Sequence, residues 1–150
     1  MTYPRWIDER ADFNLREVAP GLFVGAERAV ELRPAGPWRL VADFYGSSAQ
    51  KRHARRYAGV HRLVQWPFLD GDTFPAGLLD GVWDTFREER RKGPVLLHCQ
   101  AGLSRSASAA YALLRRAGLG HQAALDRVHV EDGFPVPSTL ASARRWAEQR

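Results

Sequence analysis

One short apolar run, Val95–His98, constrains the fold of this chain more than any other part of the sequence. Its residues do not alternate between apolar and polar, and such a run is typical of a central strand that is covered on both faces. Apolar residues recur at helical spacing over 78–86 before it, and a second helical pattern follows it over 107–116. Strands that alternate with helices predict an α/β fold, in which ligands bind beyond the carboxyl ends of the strands.

The rest of the chain contains further short segments of the same two kinds. Two predicted strands, Leu15–Ala19 and Leu22–Gly25, lie on either side of a Pro-Gly turn. Further segments are assigned from their patterns: strands at 38–45 and 61–68, brief helical or looped segments at 27–33 and 47–56, an irregular loop at 70–75, and helices at 121–130 and 139–149. We therefore predict a single domain over residues 1–150, with a central, mostly parallel sheet of four to five strands flanked by helices.

The composition narrows the classes of partner. A formal net charge of +5 and a sequence pI near 10 favour anionic partners such as phosphorylated proteins, phosphoinositides, nucleic acid or sugar phosphates, although a merely soluble basic surface has the same charge. The single cysteine, Cys99, excludes an intrachain disulfide and fits a reducing compartment. The sequence carries neither a secretory signal pattern nor a membrane-spanning run. We expect a soluble, cytoplasmic protein; the sequence does not define its oligomeric state, for which a monomer is favoured.

The loop after the central strand combines the residue types that bind phosphate. Five residues separate Cys99 from Arg105, which is expected to open the next helix. Free backbone N–H groups and the helix dipole make a helix N-terminus an anion site, so a loop that curls into it can ring a phosphate. Arg105 can hold two phosphate oxygens with its planar fork, and Gly102 leaves the loop room to curve. The phosphate loop, residues 100–105, is the candidate binding site: Gln100, Ala101, Gly102, Leu103, Ser104 and Arg105.

The same surroundings favour a reactive cysteine. Helix N-termini and nearby cations stabilise thiolates, so Cys99 is expected to be a thiolate and a nucleophile at neutral pH. Ser106 can donate a hydrogen bond to the sulfur and help it leave in a second step. His98 is expected to order the loop by hydrogen bonding rather than to transfer protons. An inert buried thiol is the alternative, but an inert cysteine needs no Arg, Gly and Ser clustered around it in one short loop.

The segment HCQAGLSRS, residues 98–106, resembles the phosphate-binding loop of the dual-specificity branch of the protein tyrosine phosphatases. Residues 19–25 resemble the opening hairpin of that family, and residues 123–128, with the prolines that follow at 135 and 137, resemble its closing helices. The resemblance implies a small bacterial-type member with the single-domain cysteine-phosphatase fold. It also implies hydrolysis of phosphate monoesters in two steps, through a phosphocysteine intermediate, with no metal and no organic cofactor.

Expelling an alcohol or phenol from a phosphate ester calls for a proton donor on the leaving oxygen. The family takes this proton from an Asp on a loop after a strand that precedes the nucleophile, and here the segment WPFLDGD, residues 66–72, enters such a loop. Asp70 is our assignment, because its spacing from Pro67 resembles the loop of small bacterial members. Asp72 is the alternative, and both can also be read as turn residues, because Asp favours turns.

The substrate is defined less clearly by the sequence. Phosphoinositide-directed relatives often carry lysines where this loop has Gln100 and Leu103, so a phosphotyrosine or phosphoserine/threonine protein is the preferred substrate. The basic segment 51–56 can dock an acidic substrate, although a solvated helix face is the preferred explanation. Three aromatic residues either wall the pocket or pack in the core: Trp66, Phe68 and Phe74.

Other functions share parts of this pattern. The alternatives are a catalytically inactive phosphate-binding module, a phosphatase for a non-protein substrate (a phosphoinositide, an RNA 5′ end or a sugar phosphate) and a rhodanese-type sulfurtransferase. Inactive relatives lose the Cys, the Arg or the Asp, whereas this chain has all three. Cys99 with Arg105 and Ser106 fits the phosphatase spacing better than the sulfurtransferase one. Nucleic-acid binding has little support, because no aromatic residues are interleaved with the basic run.

Overall fold

A six-stranded sheet forms the centre of the part of the chain that the structure, a computed structural model, describes, residues 2–149. Its strands are β1 (Arg5–Asp8), β2 (Leu15–Ala19), β3 (Leu22–Gly25), β4 (Leu40–Asp43), β5 (Arg62–Gln65) and β6 (Val95–His98). Four α-helices accompany them: α1 (Leu78–Glu89), α2 (Arg105–Arg116), α3 (His121–Val128) and α4 (Pro137–Glu148). The strand order is β1-β2-β3-β6-β4-β5. The pairs β1–β2 and β2–β3 are antiparallel, and the pairs β3–β6, β6–β4 and β4–β5 are parallel.

The register of the parallel strands brings three loops to one edge of the sheet. β6 lies between β3 and β4, and its last residue, His98, is level with Gly25 of β3 and with Asp43 of β4. Because parallel strands end at the same edge, the loops that follow β3, β4 and β6 meet there. Cys99 is the first residue after β6, so the sheet topology places it at this meeting point.

The two faces of the sheet are covered by different kinds of helix. Val95 and Leu97 belong to a core cluster that includes the buried faces of all four α-helices. Leu96 belongs to a second cluster, which is closed by 3-10 helices at Glu27–Glu31 and Lys51–Tyr57. All four residues of β6 are buried, which confirms the prediction of a central strand that is covered on both faces.

The four α-helices are short, and α2 is the most buried of them. None of the helices in residues 2–149 has both the length and the apolar character needed to cross a bilayer. The first ten residues of α2, from Arg105 to Leu114, are all buried, and four of them are alanines. These small side chains let α2 pack closely in the main core cluster, which fixes the position of Arg105 at its first turn.

The predicted fold class, α/β with a mostly parallel sheet, is confirmed, and the number of strands is corrected. The sheet has six strands rather than four to five, because β1 pairs with β2. This edge strand is only partly buried and its register is irregular, so its sequence carries no clear strand pattern. The segments at 27–33 and 47–56 form 3-10 helices. Helix α4 begins earlier than predicted, at Pro137, because proline suits the first position of a helix.

Candidate active site

Cys99 lies at the base of the phosphate loop, directly after β6, and only 3% of it is exposed. Its Sγ lies 3.2 Å from the Oγ of Ser106 and accepts a hydrogen bond from the backbone N–H of Gly102 over 3.3 Å. The hydroxyl of Ser106 and the N–H of Gly102 both come from the segment that leads into α2, so the phosphate loop folds back over the sulfur of Cys99. Hydrogen bonds from a hydroxyl and an amide stabilise negative charge on an acceptor, as a nucleophilic thiolate requires.

Gly102 permits the sharp turn of this loop. Its φ of +76° lies in the left-handed region that residues with a side chain rarely adopt. A Cβ at this position would lie 2.5 Å from the carbonyl carbon of Gly25 and 2.6 Å from the backbone N of Ala26. The loop therefore packs directly against the backbone at the end of β3, and only glycine fits both the conformation and the space.

Arg105, the first residue of α2, reaches from the loop toward two other segments of the site. It is 8% exposed, and its Nη1 donates to the backbone carbonyls of Phe68 (2.8 Å) and Phe44 (3.4 Å). The guanidinium carbon also lies 5.4 Å from the centre of the Tyr45 ring. The Nε of Arg105 is buried and has no hydrogen-bond partner among residues 2–149. The guanidinium is thus held through one nitrogen, and a buried donor is left for a phosphate oxygen.

A cavity of about 140 Å³ lies over the phosphate loop. Its lining brings together the candidate nucleophile, the candidate acid and the loop: Asp70, Cys99, Gln100, Ala101, Leu103, Ser104, Arg105 and Phe134. A larger cleft of about 290 Å³ lies at the opposite end of the sheet, between the C-terminal ends of α1 and α2, and contains none of these residues. The smaller cavity is therefore the candidate active site.

The two candidate acids are placed differently with respect to this cavity. Asp70 lines it together with Cys99 and Arg105, and the Asp70 Oδ1 accepts a hydrogen bond from the N–H of Gly71 (3.0 Å). Both carboxylates are exposed, but Asp72 is not part of the lining. The structure thus brings Asp70, and not Asp72, to the candidate nucleophile.

The loop that carries Asp70, residues 66–75, is hydrogen-bonded to the first turns of α4. Three side chains of that helix bind its backbone: Ser138 Oγ binds the carbonyl of Gly71, Thr139 Oγ1 binds the N–H of Gly71 (3.1 Å) and the carbonyl of Asp72 (2.9 Å), and Ser142 Oγ binds the N–H of Phe74 (2.9 Å). On the other side of Asp70, the carbonyl of Phe68 is held by Arg105. The backbone is therefore anchored both before and after Asp70.

His98 lies beneath the phosphate loop in a chain of hydrogen bonds. It is fully buried, its Nδ1 donates to the carbonyl of Cys99 (3.3 Å), and its Nε2 lies 2.9 Å from the hydroxyl of Tyr57, which lies 2.6 Å from Ser47 Oγ. Burial lowers the pKa of His98, although Asp43, 3.8 Å from Nε2, acts in the opposite direction. The ring is therefore neutral at pH 7 and accepts from Tyr57. His98 orders the loop in this arrangement and does not line the cavity.

Two residues that no sequence pattern had indicated bind the outer side of the phosphate loop. Asn14 Nδ2 donates to the carbonyl of Ala101 (2.9 Å), and a guanidinium nitrogen of the fully buried Arg16 donates to the carbonyl of Gly102 (2.9 Å). Neither residue belongs to a recognisable motif. The single signal in the sequence is the pair of charged residues, Arg16 and Glu17, inside a short strand that is otherwise apolar.

The aromatic residues and the basic segment singled out in the sequence do not line the cavity. The aromatic residues pack against Phe44 or against one another: Trp66, Phe68 and Phe74. The aromatic residue of the cavity wall is instead Phe134. The basic segment forms the largely exposed 3-10 helix Lys51–Tyr57. Within residues 2–149, no group of three or more His, Cys, Asp or Glu side chains is placed to hold a metal ion.

Together, the central strand, the loop and the helix of the site, with the sheet around them, define the fold. A buried central strand ends in a cysteine, a short loop folds over the sulfur, and an arginine begins the helix that follows. With the mixed sheet and the four α-helices on one face, this is the cysteine-phosphatase fold.

Similar solved structures show that the chain has the fold of the dual-specificity phosphatases. Human DUSP28 is similar with a TM-score of 0.69 and 24% identity, covering 89% of this chain and 93% of that one. TpbA from P. aeruginosa has a TM-score of 0.67 and 18% identity over 97% of this chain and 88% of its own. A cysteine-to-serine variant of TpbA in complex with pTyr has a TM-score of 0.65 and 17% identity, covering 98% and 89%. No protein-family model and no curated protein matches the chain.

Proposed function

We propose that this chain is a phosphatase that hydrolyses phosphate monoesters through a phosphocysteine intermediate on Cys99, with Arg105 binding the phosphate and Asp70 acting as general acid and base. The observation that carries the proposal is that these three side chains line one cavity of about 140 Å³. They supply a nucleophile, a cation with several donors and a carboxyl group. A two-step transfer of phosphate to cysteine and then to water uses all three.

In the first step, the thiolate of Cys99 attacks phosphorus while the bond from phosphorus to the leaving oxygen breaks. The carboxylic acid of Asp70 donates its proton to that oxygen, so the alcohol or phenol leaves neutral. Arg105 and the loop N–H groups hold the phosphoryl oxygens, whose charge they balance throughout.

In the second step, the carboxylate of Asp70 takes a proton from a water molecule, and the oxygen of that water attacks the phosphorus of phosphocysteine. The bond from phosphorus to sulfur breaks, and inorganic phosphate is released. Ser106 Oγ, 3.2 Å from the sulfur, donates to Sγ as negative charge returns to it. Asp70 ends the cycle protonated and Cys99 ends it as a thiolate, so both are ready for the next substrate.

The preferred substrate class is a phosphotyrosine or phosphoserine/threonine protein. Gln100 and Leu103 line the cavity where phosphoinositide-directed relatives often carry lysines, and Phe134 offers an aromatic wall for a phenol ring. The TpbA variant, which has the same fold, has been crystallised with pTyr. We expect kcat/KM to be higher on a phosphotyrosine peptide than on a short-chain phosphoinositide. The opposite order would make an inositol lipid the substrate.

The first test is the hydrolysis of p-nitrophenyl phosphate, in the presence of a chelator, by the wild-type protein and by Cys99→Ser. Turnover by the wild type that disappears in Cys99→Ser is the expected result, since serine is not ionised at neutral pH. Equal rates would remove Cys99 from the chemistry. Absence of turnover in both proteins, with phosphate still bound, would support the inactive phosphate-binding module instead.

The second test separates the two candidate acids. Asp70→Asn is expected to lower kcat by about 10²–10⁴-fold, the usual contribution of a general acid, whereas Asp72→Asn serves as the matched control and should change it little. The loss in Asp70→Asn should be larger on phenyl phosphate than on p-nitrophenyl phosphate, because phenolate is the poorer leaving group and depends more on the proton. A larger loss in Asp72→Asn would move the assignment to Asp72.

A further inference from the structure

We infer that Asn14 and Arg16 are positioning residues of the active site, which turn the peptide groups of the phosphate loop so that their N–H groups face the anion. Their role in turnover rests on the proposed function, whereas their role in holding an oxyanion does not. Both side chains come from the start of β2 and the residue before it, and they lie 86 and 87 residues from the loop in the sequence.

Three consecutive carbonyls of the loop are bound from the side away from the cavity. The donors are the N–H of Glu27 for the carbonyl of Gln100 (3.0 Å), Asn14 Nδ2 for that of Ala101 (2.9 Å) and Arg16 Nη1 for that of Gly102 (2.9 Å). A trans peptide group points its N–H away from its C=O. The N–H groups of Ala101, Gly102 and Leu103 are therefore turned toward the sulfur and the cavity. The N–H of Gly102 accordingly donates to Cys99 Sγ.

Arg16 also brings a positive charge to the underside of the loop. Its guanidinium is fully buried, it donates to the carbonyl of Val128 at the end of α3 (3.0 Å), and it forms no salt bridge with any carboxylate in residues 2–149. Burial lowers the pKa of Arg16 to about 10, partly offset by the charge of Cys99, so the side chain stays charged at neutral pH. A buried charge without a counterion is unfavourable. The thiolate and the bound phosphate supply the negative charge that Arg16 lacks.

Asn14 has a backbone conformation that suits this task. Its φ of +41° lies in the left-handed region, which Asn and Asp adopt more readily than other residues with a side chain. The Arg16 guanidinium donates in addition to the backbone carbonyl of Asn14 (2.9 Å). The two residues are therefore joined to each other, and their side chains bind the neighbouring carbonyls of Ala101 and Gly102.

The test is the binding of tungstate, a phosphate-shaped oxyanion, measured by calorimetry, because binding does not require turnover. Arg16→Met is expected to weaken tungstate binding by about 10- to 100-fold, the range of a lost charge-assisted hydrogen bond. Arg16→Lys should recover part of the loss, because lysine keeps the charge but not the planar fork. The matched control is Arg127→Met. Arg127 donates to the carbonyl of Val18 in the same strand (2.8 Å) and forms no hydrogen bond to residues 100–105, so affinity should stay as in the wild type.

A second variant keeps the test valid if Arg16→Met does not fold. Asn14 is only half-buried, and Asn14→Asp retains its shape and backbone preference while replacing the donor by an acceptor that faces the carbonyl of Ala101. We expect at least a several-fold weaker affinity for tungstate. The inference would be overturned by unchanged affinity in Arg16→Met, by unchanged affinity in both Asn14→Asp and Arg16→Lys if Arg16→Met does not fold, or by no binding of tungstate to the wild type. Tungstate binding without hydrolysis by the wild type would overturn the proposed function alone.

Discussion

Gly102→Ala is the substitution for which the structure makes the most detailed prediction. The added methyl group would lie 2.5 Å from the carbonyl carbon and 2.8 Å from the carbonyl oxygen of Gly25, and 2.6 Å from the N of Ala26. These are backbone atoms at the end of β3, so no flexible side chain can move aside. The chain must instead shift the phosphate loop, which carries the N–H that binds Cys99 Sγ.

The expected loss of stability is the sum of two contributions. A residue with a Cβ in the left-handed region costs about 1–2 kcal/mol, and packing an extra methyl group against a fixed neighbour costs about 1–3 kcal/mol more. The free energy of unfolding should therefore fall by about 2–5 kcal/mol, which lowers the Tm of a chain of this size by about 4–20 °C. Activity should fall with it, because the displaced loop no longer holds the sulfur and the phosphate in register.

Gly21→Ala is the matched control for this prediction. Gly21 has a φ of +75°, nearly the same as the +76° of Gly102, but nothing lies within 4 Å of a Cβ built on it. It therefore carries only the conformational cost, about 1–2 kcal/mol, or about 2–8 °C in Tm, and should keep full activity. Thermal unfolding and kcat/KM on p-nitrophenyl phosphate measure both variants. If Gly102→Ala lost no more Tm than Gly21→Ala and kept the wild-type kcat/KM, the reasoning from the clash would be refuted.

Three further predictions concern single side chains of the site. Burial lowers the pKa of His98 below its ordinary 6.5, so below that pH the unfolded chain binds a proton that the folded chain does not bind. The free energy of unfolding should therefore fall by up to about 1.4 kcal/mol per pH unit below pH 6.5. Urea unfolding at pH 7 and pH 5.5 measures this fall, which should be weaker in His98→Gln. Equal pH dependence in both proteins would mean that His98 is charged in the fold. Thr139→Val removes two bonds to the loop of Asp70 and should lower kcat several-fold while tungstate affinity stays the same; a loss of affinity alone would contradict this role. Ser106→Ala should slow the hydrolysis of phosphocysteine more than its formation, because Ser106 donates to the leaving sulfur. Stopped-flow mixing should then show a burst of p-nitrophenol. A slower first turnover without a burst would place Ser106 in the first step.

Local patterns were sufficient for the elements that surround the site. The predicted bounds of β2, β3 and β6 agree with the structure, because each is a short run bounded by Pro and Gly or by the change to small polar residues. β1 was not predicted, because a partly exposed edge strand does not need a continuous run of apolar residues on one face. The segments at 27–33 and 47–56 were predicted as helical or looped, but their 3-10 type was not, because it follows from how the chain packs over the second face of the sheet.

The strand, the loop and the helix that carry Cys99 and Arg105 could be predicted from sequence, because the pattern that indicates them spans a few residues of one continuous segment. For the candidate acid, the spacing from Pro67 favoured Asp70 over Asp72, and the structure then placed Asp70, but not Asp72, in the lining of the cavity. Only the tertiary structure placed Asn14 and Arg16 behind the loop. These contacts depend on the sheet order, which brings together residues up to 87 positions apart, whereas periodicity and spacing describe only near neighbours in the chain.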